Sequence, residues 1–420
     1  MFALRGYIKI ALLFLAIALI YSCAQMPAIR QGVFYSQVKQ PVVAVKIFEG
    51  EKLLVSPANS FAIRCFKDEK QKTTYFSTAD IQVVISSSFI AWSPKGQFPI
   101  ELNLSKVIFE PKGRKDWFSL NGRRYRGALE IVLNQDKNLL VGLNIVHLED
   151  YLKGVVPAEM GKRKRGEIEA LKSQAIAART YALSKIGQYG GAYDLRATIY
   201  DQVYKGMDKE EPLINEAVDR TKGEVLTYQG RLIEAYYHAN CGGRTENLEQ
   251  VWPGEKKPYL LSVDDKDFCA WAKNYKWEEE WDREELEHKL IKFLSKEQSL
   301  DPQDFGSLID LKIVSRTPSG RVKLLIVKTD KGYFQIKGDK IRWALERSKL
   351  EDIILPSTLF KLKITKGMGD YLIKVKAIGK GNGHGIGMCQ TGAIGMARRG
   401  FSYYQILAHY YPRTKILKYY

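Results

Sequence analysis

The spacing of apolar residues changes near Leu148, and this change constrains the fold more than any other feature of the chain. From about Val33 to Val132 the sequence consists of short alternating or β-branched runs. These runs include 42–47, 81–85 and 129–132. Turn-forming residues interrupt them, for example at 56–59 and 94–96, and such alternation between turns is typical of strands.

After Leu148 the apolar residues follow helical spacing. The clearest helix is predicted from Gly166 to about Ile186, where one mostly small apolar stripe recurs at helical intervals. A second helix is predicted to begin at Pro212 and to end before Gly223. The next segment predicts a hairpin, in which 224–227 pairs with 232–237 across a turn that contains Gly230.

The C-terminal half alternates between charged and β-prone stretches. Residues 278–297 are charged and predicted to be helical, and 308–362 are predicted to return largely to strands with a turn at 318–320. No internal repeat or low-complexity linker separates these stretches.

The N-terminus has the pattern of an export signal. Arg5 and Lys9 precede an apolar run from Ile10 to Ile20, and the small residue Ser22 precedes Cys23. The run is too short for a membrane-spanning helix, which needs roughly 20 apolar residues. Residues 20–23 also resemble a lipobox, which predicts lipidation of Cys23; plain secretory cleavage and an uncleaved anchor are the alternatives.

The formal charge of +18 is spread along the chain from Lys39 to Lys418. Such a charge indicates either a solvated basic surface or attraction to a polyanion. Because an export signal places the protein among anionic envelope polymers and lipid headgroups, we do not expect nucleic acid to be the partner.

Four cysteines remain beyond Cys23, an even number in a compartment where disulfides persist. His238 and Cys241 lie three residues apart at a predicted strand end, and Cys269 follows further along. These three side chains could be ligands of a tetrahedral Zn²⁺. A Cys241–Cys269 disulfide, or two unconnected thiols, would fit the spacing equally well.

Glu159 is a candidate general acid because apolar residues surround it in sequence, at 154–160. Apolar surroundings raise the pKa of a carboxyl group, as an acid working near neutral pH requires. The alternative is a structural role in the first turn before the next helix, where the helix dipole favours a carboxylate.

The stretch 379–393 contains many glycines, which permit unusual backbone angles and a close approach of ligand to main chain. It lacks the Gly-Lys-Ser/Thr ending of a phosphate-binding loop. His384 within it is therefore interpreted as a group that binds a sugar or a carboxylate, or else as a plain loop histidine. We interpret Cys65, His147, His288 and His409 as structural.

Five segments together closely resemble the core of the SpoIID/LytB family. They are 148–160 (LEDYLKGVVPAEM), 169–181 (EALKSQAIAARTY), 200–206 (YDQVYKG), 237–246 (YHANCGGRTE) and 383–393 (GHGIGMCQTGA). The resemblance covers about two thirds of the chain, from near Gly127 to Tyr411. The chain departs from the family pattern at Cys389, where Ser is commoner, and in the β-rich segment before Gly127.

The resemblance implies an activity. Family members include a lytic transglycosylase that cleaves peptidoglycan glycan strands stripped of their stem peptides, with the Glu of the Ala-Glu-Met segment as the essential acid. That residue corresponds to Glu159. Other members are described as enhancers of an N-acetylmuramoyl-L-alanine amidase, so a non-catalytic glycan-binding enhancer is the alternative. A zinc-dependent hydrolase ranks last, because only one His and two Cys are available.

The resemblance also implies a glycan-binding groove and its residues. Matching positions are Lys172, Gln174, Arg179, Gln202, Tyr204, Thr245, His384 and Gln390. Some family members carry a metal at the position of His238 and Cys241, which favours zinc here, whereas others have Ser in place of that Cys and carry none. A zinc ion at this position would be structural. The chemistry itself would require no cofactor, because in a lytic transglycosylase the sugar supplies the nucleophile.

Taken together, the sequence predicts an α+β protein in three parts. Residues 1–22 form the export signal, 24–125 a β-rich N-terminal region and 126–415 a mixed α/β domain of the SpoIID type with a glycan-binding groove. We expect an exported protein of the cell envelope or periplasm, anchored in a membrane through lipid on Cys23. The expected partners are peptidoglycan glycan strands and a cell-wall amidase.

Overall fold

The computed structural model describes residues 39–68, 70–113, 115–368 and 371–420. The predicted export signal, the predicted lipidation site Cys23 and the first residues of the predicted β-rich region lie outside these ranges. Among the described residues, no helix is both long enough and apolar enough to cross a membrane.

The described residues contain twenty-four strands and eight α-helices. The strands are β1 Val42–Gly50, β2 Lys52–Pro57, β3 Phe61–Lys67, β4 Lys70–Ser77, β5 Ile81–Ser86, β6 Phe89–Pro94, β7 Glu101–Leu104, β8 Lys106–Pro111, β9 Phe118–Leu120, β10 Arg123–Tyr125, β11 Ala128–Asn134, β12 Leu139–His147, β13 Leu195–Arg196, β14 Glu224–Tyr228, β15 Arg231–Leu232, β16 Tyr237–His238, β17 Lys276–Asp282, β18 Leu308–Arg316, β19 Val322–Thr329, β20 Tyr333–Lys337, β21 Phe360–Lys366, β22 Leu372–Lys380, β23 Met388–Cys389 and β24 Lys415–Lys418. The helices are α1 Leu148–Met160, α2 Ile168–Lys185, α3 Pro212–Arg220, α4 Leu248–Val251, α5 Arg283–Gln298, α6 Lys340–Ala344, α7 Gln390–Arg398 and α8 Tyr403–Tyr410. Short 3₁₀ helices lie at Arg165–Glu167, Lys273–Tyr275 and Pro302–Asp304.

Two large sheets account for the N-terminal half. The first has the strand order β13-β1-β12-β11-β8-β3-β4, and the second has the order β10-β9-β2-β5-β6-β7. Their inward-facing residues belong to one hydrophobic core, which continues into helices α1 and α2. Strand β11 pairs with β8, and β12 pairs with β1, so one sheet continues on both sides of residues 125 and 126, where the sequence predicts a boundary.

The central helix α2 matches the prediction to within two residues at each end and is buried along most of its length. Its small side chains Ala175, Ala178 and Ala182 are fully buried. Small residues allow neighbouring helices to pack closely, and α1, α3, α7 and α8 all contact α2. The second predicted helix is also confirmed, as α3 with Pro212 in its first turn.

The predicted hairpin after Gly223 forms only in part. Strands β14 and β15 pair across a two-residue turn, in which Gln229 and Gly230 both have positive φ (50° and 76°). Such a turn matches the twist of the flanking strands. The second arm is short, because Tyr237 and His238 pair in parallel with Met388 and Cys389. This pairing brings the segments 237–246 and 383–393 together.

Residues 276–380 form a region with a second hydrophobic core of their own. It contains the sheets β17-β22-β21 and β18-β19-β20 together with α5 and α6. The chain enters and leaves this region through neighbouring antiparallel strands, since Lys276 pairs with Lys380. It is therefore an insertion between the two segments that β16 and β23 bring together.

The predicted helix over 278–297 is wrong in its first five residues. Strand β17 runs to Asp282, and only then does α5 begin. In this strand Glu279 and Trp281 are buried while Glu278 and Glu280 are exposed, and this two-residue alternation is typical of a strand. Asp282 caps the helix, its side chain accepting a hydrogen bond from the Glu285 amide. The predicted turn at 318–320 joins β18 to β19 as expected.

Candidate active site

Glu159 is the penultimate residue of α1, so it lies in the last turn of a helix rather than in the first turn before one. The C-terminal end of a helix carries partial negative charge, which disfavours a carboxylate there. Gly161 ends the helix with a φ of 64°, a conformation that glycine adopts readily. The structural alternative considered for Glu159 from sequence, stabilisation by a helix N-terminus, is therefore wrong.

The two carboxyl oxygens of Glu159 accept hydrogen bonds from uncharged groups. The amide of Val203 donates to Oε1 at 2.9 Å, and Nε2 of Gln390 donates to Oε2 at 3.3 Å. Burial raises the pKa of Glu159 above its usual value, and these two hydrogen bonds only partly oppose the increase. The carboxyl group thus has a raised pKa together with two donors ready to stabilise its ionised form.

Gln390 is the first residue of α7 and is almost fully buried. Its Nε2 also lies 3.4 Å from Oε1 of Gln174, a fully buried residue of α2. Two residues from separate sequence motifs therefore form one row behind Glu159. This row fixes the orientation of the Gln390 amide toward the carboxyl group.

Two buried residues, Gln202 and Tyr204, anchor the loop that supplies the Val203 amide to the protein core. Gln202 donates to the carbonyl of Ala178 (3.2 Å) and to the hydroxyl of Tyr237 (2.9 Å). Tyr204 donates to Asn144 at 2.9 Å. These contacts place the two residues beneath the site, where they position the loop rather than face the cavity.

Gly154 lets α1 lie directly against this loop. A Cβ at this position would come within 2.4 Å of the Tyr204 ring and 2.6 Å of the Gly206 carbonyl oxygen. Any side chain would therefore push the Val203 loop away from Glu159.

Glu159 lines a cavity of about 620 Å³ between the first core and the inserted region. The first core contributes aromatic side chains, and the inserted region contributes Arg342, Trp343 and Arg347. The aromatic residues on the side of the first core are Tyr181, Tyr200, Tyr236, Tyr237 and Trp252. Flat aromatic faces with polar edges are suited to the apolar faces and hydroxyl groups of sugars.

The two walls of the cavity meet where Tyr200 stacks on Trp343. The ring centroids are 5.6 Å apart and the ring planes are 11° from parallel. Tyr200 is 56 % exposed, so this contact is at the rim of the cavity. One end of the cavity is thus bounded by an aromatic pair, with Tyr200 from the loop before Val203 and Trp343 from the inserted region.

His384 lines the same cavity, but both of its ring nitrogens have partners. Nε2 lies 3.0 Å from the Tyr237 carbonyl, and Nδ1 accepts a hydrogen bond from the Ile386 amide. Burial lowers the pKa of His384 to about 4, so the ring is neutral near pH 7. Its hydrogen bonds fix the glycine-rich loop, and its ring centroid lies 4.9 Å from that of Trp252.

Glycines in this loop permit the close approach that the sequence predicts. Gly387 has a φ of 69°, and a Cβ there would lie 2.0 Å from the Tyr236 carbonyl oxygen. The loop can therefore pack onto β16 only with glycine at this position.

The three remaining residues predicted to bind substrate lie elsewhere. Arg179 is fully buried and forms an ion pair with Glu149 (2.7 Å). Lys172 pairs with Glu169 at 2.7 Å and lies over the ring of Tyr403. Thr245 is buried, and its hydroxyl accepts a hydrogen bond from the Val263 amide. None of the three lines the cavity.

Three cysteines and one aspartate form a second cluster, behind the glycine-rich loop. The candidate ligand atoms of Cys241, Asp265, Cys269 and Cys389 all lie within 4.8 Å of one another, and all four residues are buried. Sγ of Cys389 accepts hydrogen bonds from the amides of Cys241 (3.2 Å) and Gly392 (3.3 Å). Three sulfurs and one carboxylate at this spacing can hold a tetrahedral Zn²⁺.

His238 was predicted as a ligand, but the structure places it outside this group. Its Nδ1 contacts the Ile386 carbonyl at 3.1 Å, and its buried Nε2 has no hydrogen-bond partner among the described residues. Cys241 and Cys269 are free thiols. Their Sγ atoms lie 3.5 Å apart, a distance longer than the S–S bond of about 2.05 Å in a disulfide.

Several residues of the site were not predicted from the sequence. Trp343, Arg342 and Arg347 come from the inserted region, which carries no recognisable motif, so no local signal indicated them. Asp265 lies four residues before the predicted ligand Cys269, and Cys389 lies in the glycine-rich stretch, but neither was predicted to bind a metal. The pairing of His238 with Cys389, across about 150 residues, brings Cys389 beside Cys241. Asp265 is brought there by the hydrogen bond from its amide to the Gly243 carbonyl at 3.1 Å.

Comparison with known proteins identifies two segments. A family described as stage II sporulation protein matches residues 136–228, which include α1, α2 and the Val203 loop. A domain of unknown function, DUF8618, matches residues 265–387, which include the inserted region.

Relatives are similar over most of the chain. An uncharacterised protein of Brachyspira hyodysenteriae is 34% identical over 316 residues, which is 74% of this chain and 77% of that protein. Stage II sporulation protein D of Bacillus subtilis is 31% identical over 290 residues, which is 64% of this chain and 74% of that protein. The amidase enhancer of Bacillus subtilis is 32% identical over 335 residues, but only 45% of its length is covered. With the matching motifs assembled around one cavity, the chain belongs to the SpoIID/LytB family.

Proposed function

We propose that this protein is a peptidoglycan lytic transglycosylase with Glu159 as its single catalytic acid and base. The observation that carries the proposal is the setting of Glu159: a partly buried carboxyl group whose pKa is raised by burial and whose hydrogen-bond partners are uncharged, in the wall of an aromatic cavity. The target is the glycosidic bond between N-acetylmuramic acid and N-acetylglucosamine in strands stripped of their peptides.

The reaction requires two proton transfers at the same carboxyl group. Glu159 first donates its proton to the glycosidic oxygen, and the bond from that oxygen to the muramic anomeric carbon breaks. The carboxylate that results then accepts the proton of the muramic 6-hydroxyl as its oxygen bonds to the anomeric carbon. The products are a 1,6-anhydromuramic end and a free 4-hydroxyl on glucosamine; no water is consumed and Glu159 is protonated again.

The neighbours of Glu159 fit both halves of this cycle. Val203 and Gln390 donate hydrogen bonds that stabilise the carboxylate formed after the first step. Since the sugar supplies the nucleophile, no second carboxylate at a fixed separation is needed, unlike in most glycosidases. The aromatic walls would bind the sugar faces and limit the access of water.

The test compares the full chain with a Glu159→Gln variant on intact and on peptide-stripped glycan strands. Mass spectrometry would detect 1,6-anhydromuramic ends. We expect the parent to produce them, with a preference for stripped strands, and the variant to lose about 10²- to 10⁴-fold in rate. Ordinary reducing ends, or equal cleavage by the variant, would contradict the proposal.

A second candidate is a non-catalytic enhancer of a cell-wall amidase, which the similarity to the amidase enhancer of Bacillus subtilis favours. The same incubation separates the two functions. Binding of strands without cleavage, together with faster peptide release by an added N-acetylmuramoyl-L-alanine amidase, would establish the enhancer instead.

We also propose that Cys241, Asp265, Cys269 and Cys389 hold a structural Zn²⁺. In this ligand set Asp265 and Cys389 take the place of His238, which was predicted from the sequence. The ion would stabilise the junction of β23 and α7 with the 265–269 turn and take no part in the reaction. We expect about one zinc per chain by elemental analysis, and a lower melting temperature after Cys269→Ser. Two hydrogens missing from the intact mass, with no metal bound, would show a disulfide instead.

Export and lipidation of Cys23 are proposed on the sequence pattern of residues 1–23. We expect lipid on the N-terminal cysteine in the mass spectrum of the mature protein. An unmodified N-terminus beyond Cys23 would show plain secretion.

A further inference from the structure

A second cavity of about 790 Å³ adjoins the candidate active site. The two cavities share three lining residues, Trp252, Asp339 and Trp343. Trp252 follows α4 in the first core, whereas Asp339 and Trp343 belong to the inserted region. The cavities are therefore two parts of one depression, divided by a ridge to which both cores contribute.

The second cavity is lined by residues 249–253, by β18, β19 and β20 of the inserted region, and by the segment 338–343, which includes α6. Its charged rim is predominantly basic, with the exposed residues Lys323, Lys337 and Lys340. Asp339 pairs with Arg342 at 3.3 Å and Lys340 pairs with Glu297 at 2.5 Å. Lys323 and Lys337 are therefore the rim lysines that have no ion-pair partner among the described residues. The rim is therefore suited to a ligand that carries negative charge.

The floor offers groups that can bind hydroxyl and amide groups. Oε2 of Glu249 is buried and has no hydrogen-bond partner among the described residues, although the side chain lines the cavity. The amide of Gln250 accepts a hydrogen bond from Lys323 at 3.0 Å. An unpaired buried acceptor is unfavourable unless a ligand donor or water satisfies it.

We propose that the second cavity binds the continuation of the glycan strand whose scissile bond lies at Glu159, and that its lysines bind the free lactyl carboxylate of peptide-free muramic acid. This inference rests on the proposed function. The occupant follows from continuity with the catalytic cavity, the two tryptophans at the ridge, and the match between a basic rim and a sugar chain with one carboxylate per disaccharide.

The inserted region then has a role in substrate selection. It supplies one wall of the catalytic cavity and most of the second cavity. A stem peptide would convert the lactyl carboxylate into a neutral amide and add bulk at the lysine rim. The second cavity would thus favour peptide-free over peptide-bearing strands.

Binding to the full chain with Glu159→Gln, which prevents cleavage, tests this inference by calorimetry. The ligands are peptide-free peptidoglycan oligomers of two to eight sugars, with chito-oligosaccharides of equal length as neutral controls. Lys323→Ala with Lys337→Ala removes two rim charges, and Lys312→Ala, an exposed lysine of β18 outside the cavity, is the matched control.

We expect affinity for the acidic oligomers to rise with length as the second cavity fills. The double variant should weaken binding of the longest acidic oligomer by about two- to fivefold per lysine, as for exposed ion pairs. The double variant should bind the disaccharide and the neutral oligomers with the affinity of the parent. Lys312→Ala should leave the affinity for every ligand unchanged.

Equal losses for acidic and neutral oligomers, or no dependence on length, would overturn the inference while leaving cleavage by the parent intact. If the parent binds long acidic oligomers through the lysines but never cleaves them, the catalytic proposal fails and the binding inference stands.

Discussion

The two ends of helix α1 place two carboxyl groups in opposite electrostatic settings. Glu149, in the first turn, accepts hydrogen bonds from Arg179 (2.8 and 2.7 Å), from the Gly223 amide and from Tyr420. Burial alone would raise the pKa of Glu149, but the guanidinium of Arg179 outweighs it and the pKa is lowered. Glu159, in the last turn, has only neutral partners, and burial raises its pKa.

The difference shows what each carboxyl group can do. The lowered pKa keeps the Glu149 carboxylate ionised near pH 7, where it has no proton to donate. Through its contacts with Arg179 and Tyr420, Glu149 instead connects α1 with α2 and the C-terminal residue. A buried carboxyl group without a cation retains its proton to higher pH, at a cost to folding stability, and can serve as an acid. One helix therefore carries a structural carboxyl group and, ten residues further on, a carboxyl group whose raised pKa fits the acid proposed above.

Breaking the Glu149–Arg179 pair should have the largest effect on stability. Arg179→Met leaves a buried carboxylate without a partner and is expected to cost about 3–5 kcal/mol of unfolding free energy. Denaturant unfolding of the full chain measures the loss. The double variant with Glu149→Gln should recover part of it. A loss below about 1 kcal/mol for Arg179→Met would show that the pair does not hold the core.

Removing the Gln390 side chain should affect catalysis more than folding. Gln390→Ala deletes one of the two donors to Glu159 and is expected to lower kcat by about tenfold, since a charge-assisted hydrogen bond contributes about 1.5–3 kcal/mol. The loss of a donor should also raise the pKa of Glu159. The alkaline limb of the pH–rate profile, where the acid loses its proton, should move to higher pH.

Gln188→Ala, at an exposed glutamine outside the cavity, controls for general effects of the substitution. An unchanged pH profile in Gln390→Ala would mean that Gln390 does not contact the acid in solution.

Glu159→Gln should have the smallest effect on stability. The direction in which this effect changes with pH distinguishes Glu159 from Glu149. Because the folded-state pKa of Glu159 is raised, its contribution to stability is full below the unfolded-state pKa and is lost as pH rises through the folded pKa. The variant should therefore gain in melting temperature relative to the parent as pH increases. The Glu149→Gln variant should melt at a lower temperature than the parent, and this difference in melting temperature should narrow as pH falls. The reason is that a carboxyl group with a lowered folded-state pKa stabilises the fold fully only above its unfolded-state pKa. If the melting temperature of Glu159→Gln instead fell further below that of the parent as pH rises, the raised pKa of Glu159 would be contradicted.

The sequence predicted those helices whose apolar pattern and end signals lie within their own residues. Helix α2 follows from its small-residue stripe, and α3 follows from Pro212 and the apolar residues after it. Strand β17 was also encoded locally, in the alternation of Trp277, Glu279 and Trp281, but its many charges favoured a helix. Glu159 was found because apolar neighbours and a family motif coincide at one position.

The parts that depend on distant contacts could not be predicted. His238 is close to Cys241 in sequence, yet the parallel pairing of β16 with β23 brings Cys389 beside Cys241 instead. Arg179 matches a family motif, but its partner Glu149 lies in another helix and makes it structural. Trp343 reaches the cavity only because the inserted region folds back against the first core.

The most direct test of the contrast along α1 is a ¹³C NMR titration of glutamate carboxyl groups in the full chain. Glu149→Gln and Glu159→Gln variants assign the two signals. We expect the pKa of Glu159 to lie above the usual glutamate range and that of Glu149 to lie below it. A Glu159 carboxyl that titrates at or below the usual value would contradict its role as the acid.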